Sequence, residues 1–293
     1  MSTQMTPTND SSPTSPLQPQ GPDDAALKAR HRAMWALGNY PRVADEIVGP
    51  LGATLVKAVA ITAADEVLDV AAGTGNAAIP AALTGASVTA CDLTPELLDA
   101  GRRHAGTVSV GLQWDQADAE RLPYPTASYD AVISCLGVMF APHHQDSADE
   151  LMRVCRPGGR VGILSWTPDG FVGQMLKTLS PYAPPPPPGT SHAPLWGDPE
   201  HVLSLLGDRI TDAHIERGAR RVDRFADASE WRDYFKTNYG PMVAVYRHLG
   251  DDPDRVTALD TALVDLADAH DRGDSTTGLV MDWDYLLLTA RRT

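Results

Sequence analysis

Residues 67–76 read Val-Leu-Asp-Val-Ala-Ala-Gly-Thr-Gly-Asn, an apolar strand that runs directly into a glycine pair, with helical sequence from about Ala77. Gly73 and Gly75 lack Cβ atoms, so the chain can turn sharply there and bring its backbone close to a ligand. The helix that follows aims its free N–H groups and positive dipole end into the turn. Asp69, at the C-terminal end of the strand, adds a carboxylate at the same place. A carboxylate repels phosphate and favours a ligand with hydroxyls or a positive charge. The turn therefore points to a nucleoside cofactor.

Outward from this turn, strand and helix patterns alternate. Strands are expected at 66–70, 87–91, 110–115, 129–135 and 160–166, and helices at 76–84, from Pro95 with Thr94 as N-cap, and at 147–154. The run 129–135 is continuously apolar, as in a strand buried on both faces. Such alternation implies a mostly parallel sheet covered by helices on both sides. After Trp166 the pattern loosens: helices are expected at 171–179, 198–206, 229–234, 241–248 and 256–269, and strands at 210–217 and 281–289. Five consecutive prolines at 184–188 favour a stiff polyproline II segment, read first as a rigid connector and second as a wall over the substrate mouth. Residues 1–24 are rich in Pro, Ser, Thr and Gln with almost no large apolar side chains, and read as a disordered tail. The division expected is thus a tail (1–24), an N-terminal helical cap (25–60), a cofactor-binding core (61–167) and a substrate-side insertion with the terminal strands (168–293).

The bulk properties exclude several classes. With 24 Lys and Arg against 38 Asp and Glu, the net charge of −14 disfavours nucleic acid and anionic membrane surfaces as partners. No apolar run reaches the length of a membrane-spanning helix, and no secretory signal is visible, so a cytoplasmic location is expected. Three cysteines, Cys91, Cys135 and Cys155, lie in apolar patterns without a Cys-x-x-Cys, and read as reduced, buried thiols rather than metal ligands. A homodimer is compatible with the chain, which carries no signal of oligomeric state.

The glycine turn alone is ambiguous, since Gly73-Thr74-Gly75-Asn76-Ala77-Ala78 also satisfies a relaxed dinucleotide fingerprint. Asp92 ends the second strand about 20 residues on, where a carboxylate accepts hydrogen bonds from ribose hydroxyls in either class. Two further stretches separate the classes. One is Gln116-Ala117-Asp118-Ala119-Glu120-Arg121-Leu122-Pro123-Tyr124-Pro125, which sets Asp118 just after the third strand. The other is Arg153-Val154-Cys155-Arg156-Pro157-Gly158-Gly159-Arg160, a helix stop followed by a strand.

With these four motifs in order over residues 60–166, the chain resembles the class I S-adenosylmethionine-dependent methyltransferases, within their ubiquinone/menaquinone-biosynthesis-type, small-molecule branch. The resemblance implies an α/β, Rossmann-like seven-stranded sheet whose last strand is antiparallel, with N-terminal helices and a helical insertion before that strand. It implies S-adenosyl-L-methionine as cofactor. Asp69, Ala71, Gly73, Thr74, Gly75 and Asn76 would surround its methionine portion, and Ala71 stands where the family has its first glycine. Asp92 would hold the ribose, Leu93 would pack on the adenine, Asp118 and Ala119 would meet the adenine edge, and Ser134 and Cys135 would end the fourth strand beside the sulfonium.

Methyl transfer is an in-line displacement, for which the protein aligns the reactants and excludes water. If a base is used, His143 and His144 after the fourth strand are the candidates; a metal site is not expected. Trp35 and Tyr40 from the N-terminal helices, Met139 and Phe140, and Trp231, Asn238 and Tyr239 from the insertion are candidate acceptor contacts. They suit a small aromatic or partly apolar acceptor methylated on O or C rather than N. Two other readings are a nicotinamide-dependent oxidoreductase, which would have an all-parallel sheet, and a non-methylating adenosylmethionine-binding protein.

Overall fold

The computed structural model describes residues 22–274 and 276–293. Its frame is one seven-stranded sheet. In chain order the strands are β1 (Glu66–Val70), β2 (Ser87–Asp92), β3 (Gln113–Gln116), β4 (Tyr129–Cys135), β5 (Cys155–Trp166), β6 (Ile210–Phe225) and β7 (Leu279–Arg292). They lie side by side as β3-β2-β1-β4-β5-β7-β6. Strands β1 to β5 are mutually parallel. β7 runs antiparallel between β5 and β6, as the resemblance implied, and the all-parallel alternative is overturned.

Eleven described α-helices surround the sheet: α1 (Pro22–Trp35), α2 (Tyr40–Val43), α3 (Gly49–Val59), α4 (Ala78–Leu83), α5 (Pro95–Thr107), α6 (His144–Val154), α7 (Phe171–Leu179), α8 (Pro199–Leu206), α9 (Ala228–Asn238), α10 (Gly240–Leu249) and α11 (Pro253–Ala269). Pro41 and Pro50 sit in the first turns of α2 and α3, where a missing N–H costs no helical hydrogen bond. A short π-helical stretch, Ala44–Val48, joins these two helices. The expected tail falls mostly outside the described residues, and α1 begins at Pro22 rather than after residue 24.

Strand order reverses between β1 and β4: from β1 the chain moves toward β2 and β3, and from β4 toward β5. Two loops leave the carboxyl ends of these neighbours in opposite directions and open a crevice. Strand β4 is buried almost throughout, which accounts for its unbroken apolar sequence. Strand β6 is solvent-exposed along most of its length and extends eight residues beyond its expected end. The Arg-Pro-Gly-Gly segment is a bulge inside β5: Tyr129 pairs with Cys155 and Ala131 with Arg160, so 156–159 loop out between two rungs. Gly158 adopts φ +74° there.

The insertion packs through aromatic rings. Phe171 of α7 stacks on Trp283 of β7 at 5.2 Å and meets Trp231 of α9 edge-on at 5.1 Å. The proline run is largely exposed, forms no regular element over 184–187, and touches neither of the cavities described below. Among the described residues no helix is long and apolar enough to cross a membrane.

Candidate functional site

The crevice is a cleft of about 740 Å³, a figure that includes space open to solvent. Its floor is the turn after β1. Ala71 and Gly73 both have positive φ, +54° and +56°, and Gly75 has +81°. The two glycines face different ways. A Cβ on Gly73 would meet only the Tyr40 ring edge at 3.8 Å, so this face is open to the cleft. A Cβ on Gly75 would strike the Trp114 ring at 2.6 Å. Gly73 therefore allows close approach of a ligand, and Gly75 allows close packing of the turn on β3. Gly137 completes the floor: any side chain there would collide with the Ala71 carbonyl at 2.0 Å, so the loops leaving β1 and β4 can touch only through glycine.

Asp92 stands beside this floor. Its Oδ2 accepts from the Gly73 N–H and its Oδ1 from the Thr94 N–H, each at 2.8 Å. Thr94 occupies the N-cap position of α5; its side chain makes no capping bond, and Asp92 fixes the residue through its N–H. Burial pushes the Asp92 carboxyl above its usual range, against the pull of these N–H groups. Each carboxylate oxygen has a second lone-pair site, so the group retains capacity for ligand hydroxyls.

Asp69 lies beneath the turn, fully buried, with neither oxygen hydrogen-bonded to a described residue in good geometry. Desolvation holds its carboxyl up at about 8, opposed only by the nearby Ala78 N–H at the start of α4. Ser134 is spent on the fold: its hydroxyl donates to the Val70 carbonyl at 2.7 Å and accepts from the Val138 N–H at 2.9 Å. Cys135 reaches the cleft wall, its thiol pushed up by burial, with Asn76 Nδ2 at 3.5 Å. Of the expected cofactor residues, Ala71, Gly73, Asn76, Asp92, Leu93, Asp118, Ala119 and Cys135 line the cleft. Asp69, Thr74, Gly75 and Ser134 stand behind it.

The opposite wall comes from α1. Lys28, His31 and Trp35 face the cleft at helical spacing, and Lys28 and His31 were missed from sequence. Lys28 bonds Asp118 at 2.9 Å and also pairs with Glu120, which is buried in the loop after β3. Glu120 in turn accepts from the His143 N–H at 2.7 Å and holds its Nδ1 at 2.8 Å. His143 thus belongs to a clasp between α1 and the sheet and does not line the cleft. His144 turns away altogether, its Nδ1 3.0 Å from His201 Nε2 of α8, and burial lowers its pKa to about 4. The structure brings neither histidine to the cleft, because the loop after Phe140 carries both rings past its rim.

A narrow apolar recess, about 350 Å³ when space open to solvent is included, adjoins the cleft and shares Trp35, Tyr40, Leu136 and Phe140 with it. Val43, Val48, Trp166, Val172, Met175, Phe235, Tyr239 and Trp283 complete its wall. Trp35 is its aromatic centre, with Phe140 at 4.8 Å, Tyr40 at 5.2 Å and Tyr239 at 5.8 Å. Of the expected acceptor contacts, Trp35, Tyr40, Phe140 and Tyr239 meet here. Met139 and Trp231 are closed off in the core, and Asn238 serves the backbone: its Nδ2 donates to the Tyr234 carbonyl and its own carbonyl accepts from Asn39 N–H.

The donor set discriminates among nucleotide ligands. Phosphates at the Gly73 turn would face Asp92 with Asp69 below, and the one Lys on the wall is paired with two carboxylates. Hydroxyls, a purine and a positive charge suit the same walls.

Comparison with known proteins adds four findings. A methyltransferase-domain family matches residues 68–163. An uncharacterized protein of Mycobacterium tuberculosis is 48% identical over 270 residues, covering 92% of this chain and 97% of that protein. The demethylmenaquinone methyltransferase of Deinococcus radiodurans is 40% identical over 116 residues, 38% of this chain and 48% of that enzyme. Among solved structures, a putative methyltransferase from Bacillus halodurans shares the fold, with a TM-score of 0.56 at 19% identity over 82% of this chain and 97% of that one.

Proposed function

This chain belongs to the class I S-adenosylmethionine-dependent methyltransferases, and from that membership we propose that it methylates an oxygen or carbon atom of a small aromatic or partly apolar acceptor. S-adenosylmethionine is the cofactor. When bound it supplies a methyl group on a positively charged sulfur, ready for in-line displacement.

In this reading the chain's own residues divide the work. Asp92, aligned by the Gly73 and Thr94 N–H groups, receives the ribose hydroxyls. Leu93 and Ala119 flank the purine, and Asp118, held by Lys28, stands at its edge. Gly73 lets the amino-acid end approach the backbone. Asp69, buried beneath the turn, favours positive charge above it once it has lost its proton. The core at 61–167 thereby carries the cofactor, while 25–60 and 168–293 build the acceptor side. Trp35, Tyr40 and Phe140, common to both cavities, set the acceptor in line with the methyl group and keep water out. Neither His143 nor His144 reaches this point, so the reading assigns neither of them as a base.

The observation that carries the proposal is the aromatic rim of Trp35, Tyr40 and Phe140 on the cleft wall. A coupled assay of adenosylhomocysteine release over a panel of phenols, enols and amines tests it. Release is expected with phenolic or enolic acceptors and not with amines. Tight S-adenosylmethionine binding with no release across the panel would replace it with the non-methylating alternative.

A further inference from the structure

His144, expected from sequence as a base, is instead one half of a histidine pair. It is 2% exposed at the start of α6. Its Nδ1 lies 3.0 Å from His201 Nε2 of α8, and the Trp196 ring packs at 5.7 Å. At that distance one imidazole donates and the other accepts, which requires a lone pair on one of the two nitrogens. With both rings protonated, N–H faces N–H and two positive charges share a largely buried place.

The pair stands just behind the cleft. Phe140, Ala141 and Pro142 line the cleft, Phe140 packs on Trp35 at 4.8 Å, and His144 follows shortly along the chain. From behind, the Pro142 carbonyl accepts from the Ser191 N–H at 2.8 Å, and His201 holds His144. Farther along α6, Gln145 meets the Leu205 carbonyl and Asp149 meets Arg209, so α8 stays in place if the histidine contact opens. We propose that the His144–His201 pair is an acid-sensitive latch: neutral, it fixes the Phe140–Pro142 wall of the cleft, and protonated, it frees that wall and weakens the ligand held there. The effect on the ligand rests on the reading of the cleft as the cofactor site.

The groups around the pair set the direction of the response. Burial and the His201, His192 and His143 rings oppose protonation of His144, against the pull of the Met139 backbone, and lower its pKa from 6.5 to about 4. Asp198 caps α8 through the His201 N–H at 2.9 Å, and Asp149 pairs with Arg209 at 2.7 Å. Asp146 and Glu200, the acids in the first turns of α6 and α8, are exposed. A free histidine takes its proton near 6.5, whereas His144 in the closed pair resists until about 4. The closed form therefore holds its full advantage above that range and loses it as pH falls through it.

Hydrogen exchange on the full, cofactor-free chain, corrected for the intrinsic pH dependence of the chemistry, reads the latch. Between pH 7.5 and pH 5.0 wild-type protein is expected to lose about fivefold or more of its protection over residues 138–147, with β1 and β4 unaffected. His201→Gln sets a neutral amide donor opposite His144 and is expected to keep that protection at pH 5.0. His192→Gln, which removes a neighbouring ring and leaves the pair intact, is expected to follow wild type. Calorimetry with S-adenosylhomocysteine, whose sulfur is uncharged, reads the link to the cleft. Over the same interval wild type is expected to lose about threefold more affinity than His201→Gln, a comparison in which the ionisation of Asp69 and Asp92 cancels. Equal loss of protection in wild type and His201→Gln, loss in β1 and β4 together with 138–147, or loss abolished by His192→Gln each overturns the latch. An exchange difference with no affinity difference overturns its hold on the cleft. Failure of wild-type protein to bind S-adenosylhomocysteine at pH 7.5 would instead overturn the reading of the cleft, and the exchange result would still decide the latch.

Discussion

Asp92 shows how one side chain can serve fold and ligand together. It fixes the residue before α5 through Thr94 N–H and pins the glycine turn through Gly73 N–H, each at 2.8 Å. Asp92→Ala strips both bonds, so it is expected to weaken S-adenosylmethionine at least tenfold and to cost about 1–3 kcal/mol of stability. Calorimetry and urea unfolding read the two effects separately, and unchanged affinity in a folded variant would remove Asp92 from the ribose. Asp69 makes a pH-dependent case. In the folded protein it keeps its proton to about pH 8, whereas its ordinary value is 3.8. Between those values the folded state binds more protons than the unfolded chain, so this site's contribution to stability falls as pH rises. Asp69→Asn carries no such proton. Relative to wild type it should therefore gain stability from pH 5 to pH 8, by up to about 1 kcal/mol per pH unit. Parallel pH profiles of the two cofactor-free proteins in urea unfolding would show that Asp69 ionises normally. At this scale the sequence was informative where chemistry is local. The turn, Asp92 and Asp118 are read from neighbours along the chain. Trp231 and Met139 were not, because an apolar side chain looks the same in sequence whether it faces a solid core or a cavity. Ser134 misled for a related reason: a hydroxyl at a strand end serves a ligand or a neighbouring backbone equally well.

Helix α1 is held by an ionic clasp as well as by the packing of Trp35. Lys28 reaches across the cleft to Asp118 and Glu120, and Glu120 holds the N–H and ring of His143. Lys28→Met preserves the apolar stem and removes the charge. It is expected to raise amide exchange over residues 22–35 while leaving β1 and β4 protected. The stability loss should be about 1–3 kcal/mol, below the 3–5 of a fully stranded buried charge, because His143 still contacts Glu120. Exchange unaltered in α1 would mean that Trp35 packing alone holds the helix. The same helix marks a limit of sequence reading. Its contacts to Asp118 and Glu120 span about 90 residues, and no local pattern encodes them, although Lys28, His31 and Trp35 do share one helical face. The Arg-Pro-Gly-Gly segment is a milder case. The helix before it ends at Val154 as expected, but the segment itself lies as a bulge within β5, since the turn residues of a helix stop are also those of a bulge.

Across the whole molecule, the mostly parallel half of the sheet was legible because each strand there is apolar, short and followed by a helix. The other half was legible only in part. β6 exposes most of its side chains, so neither apolar content nor alternation marks its full length, and its extent is set by pairing with β7. That placement governs the order in which the molecule can be assembled. β6 finds its strand neighbour in β7, about fifty residues further along the chain, and β7 is also what joins it to β5. As the chain emerges from its N-terminus, β1 to β5 can associate as soon as they exist, whereas a long β6 waits with open edges through α9, α10 and α11. A slow, non-local closing step is built into the topology, and a strand that carries four Arg, two Asp and one Glu is the kind that can wait without pairing to a stranger.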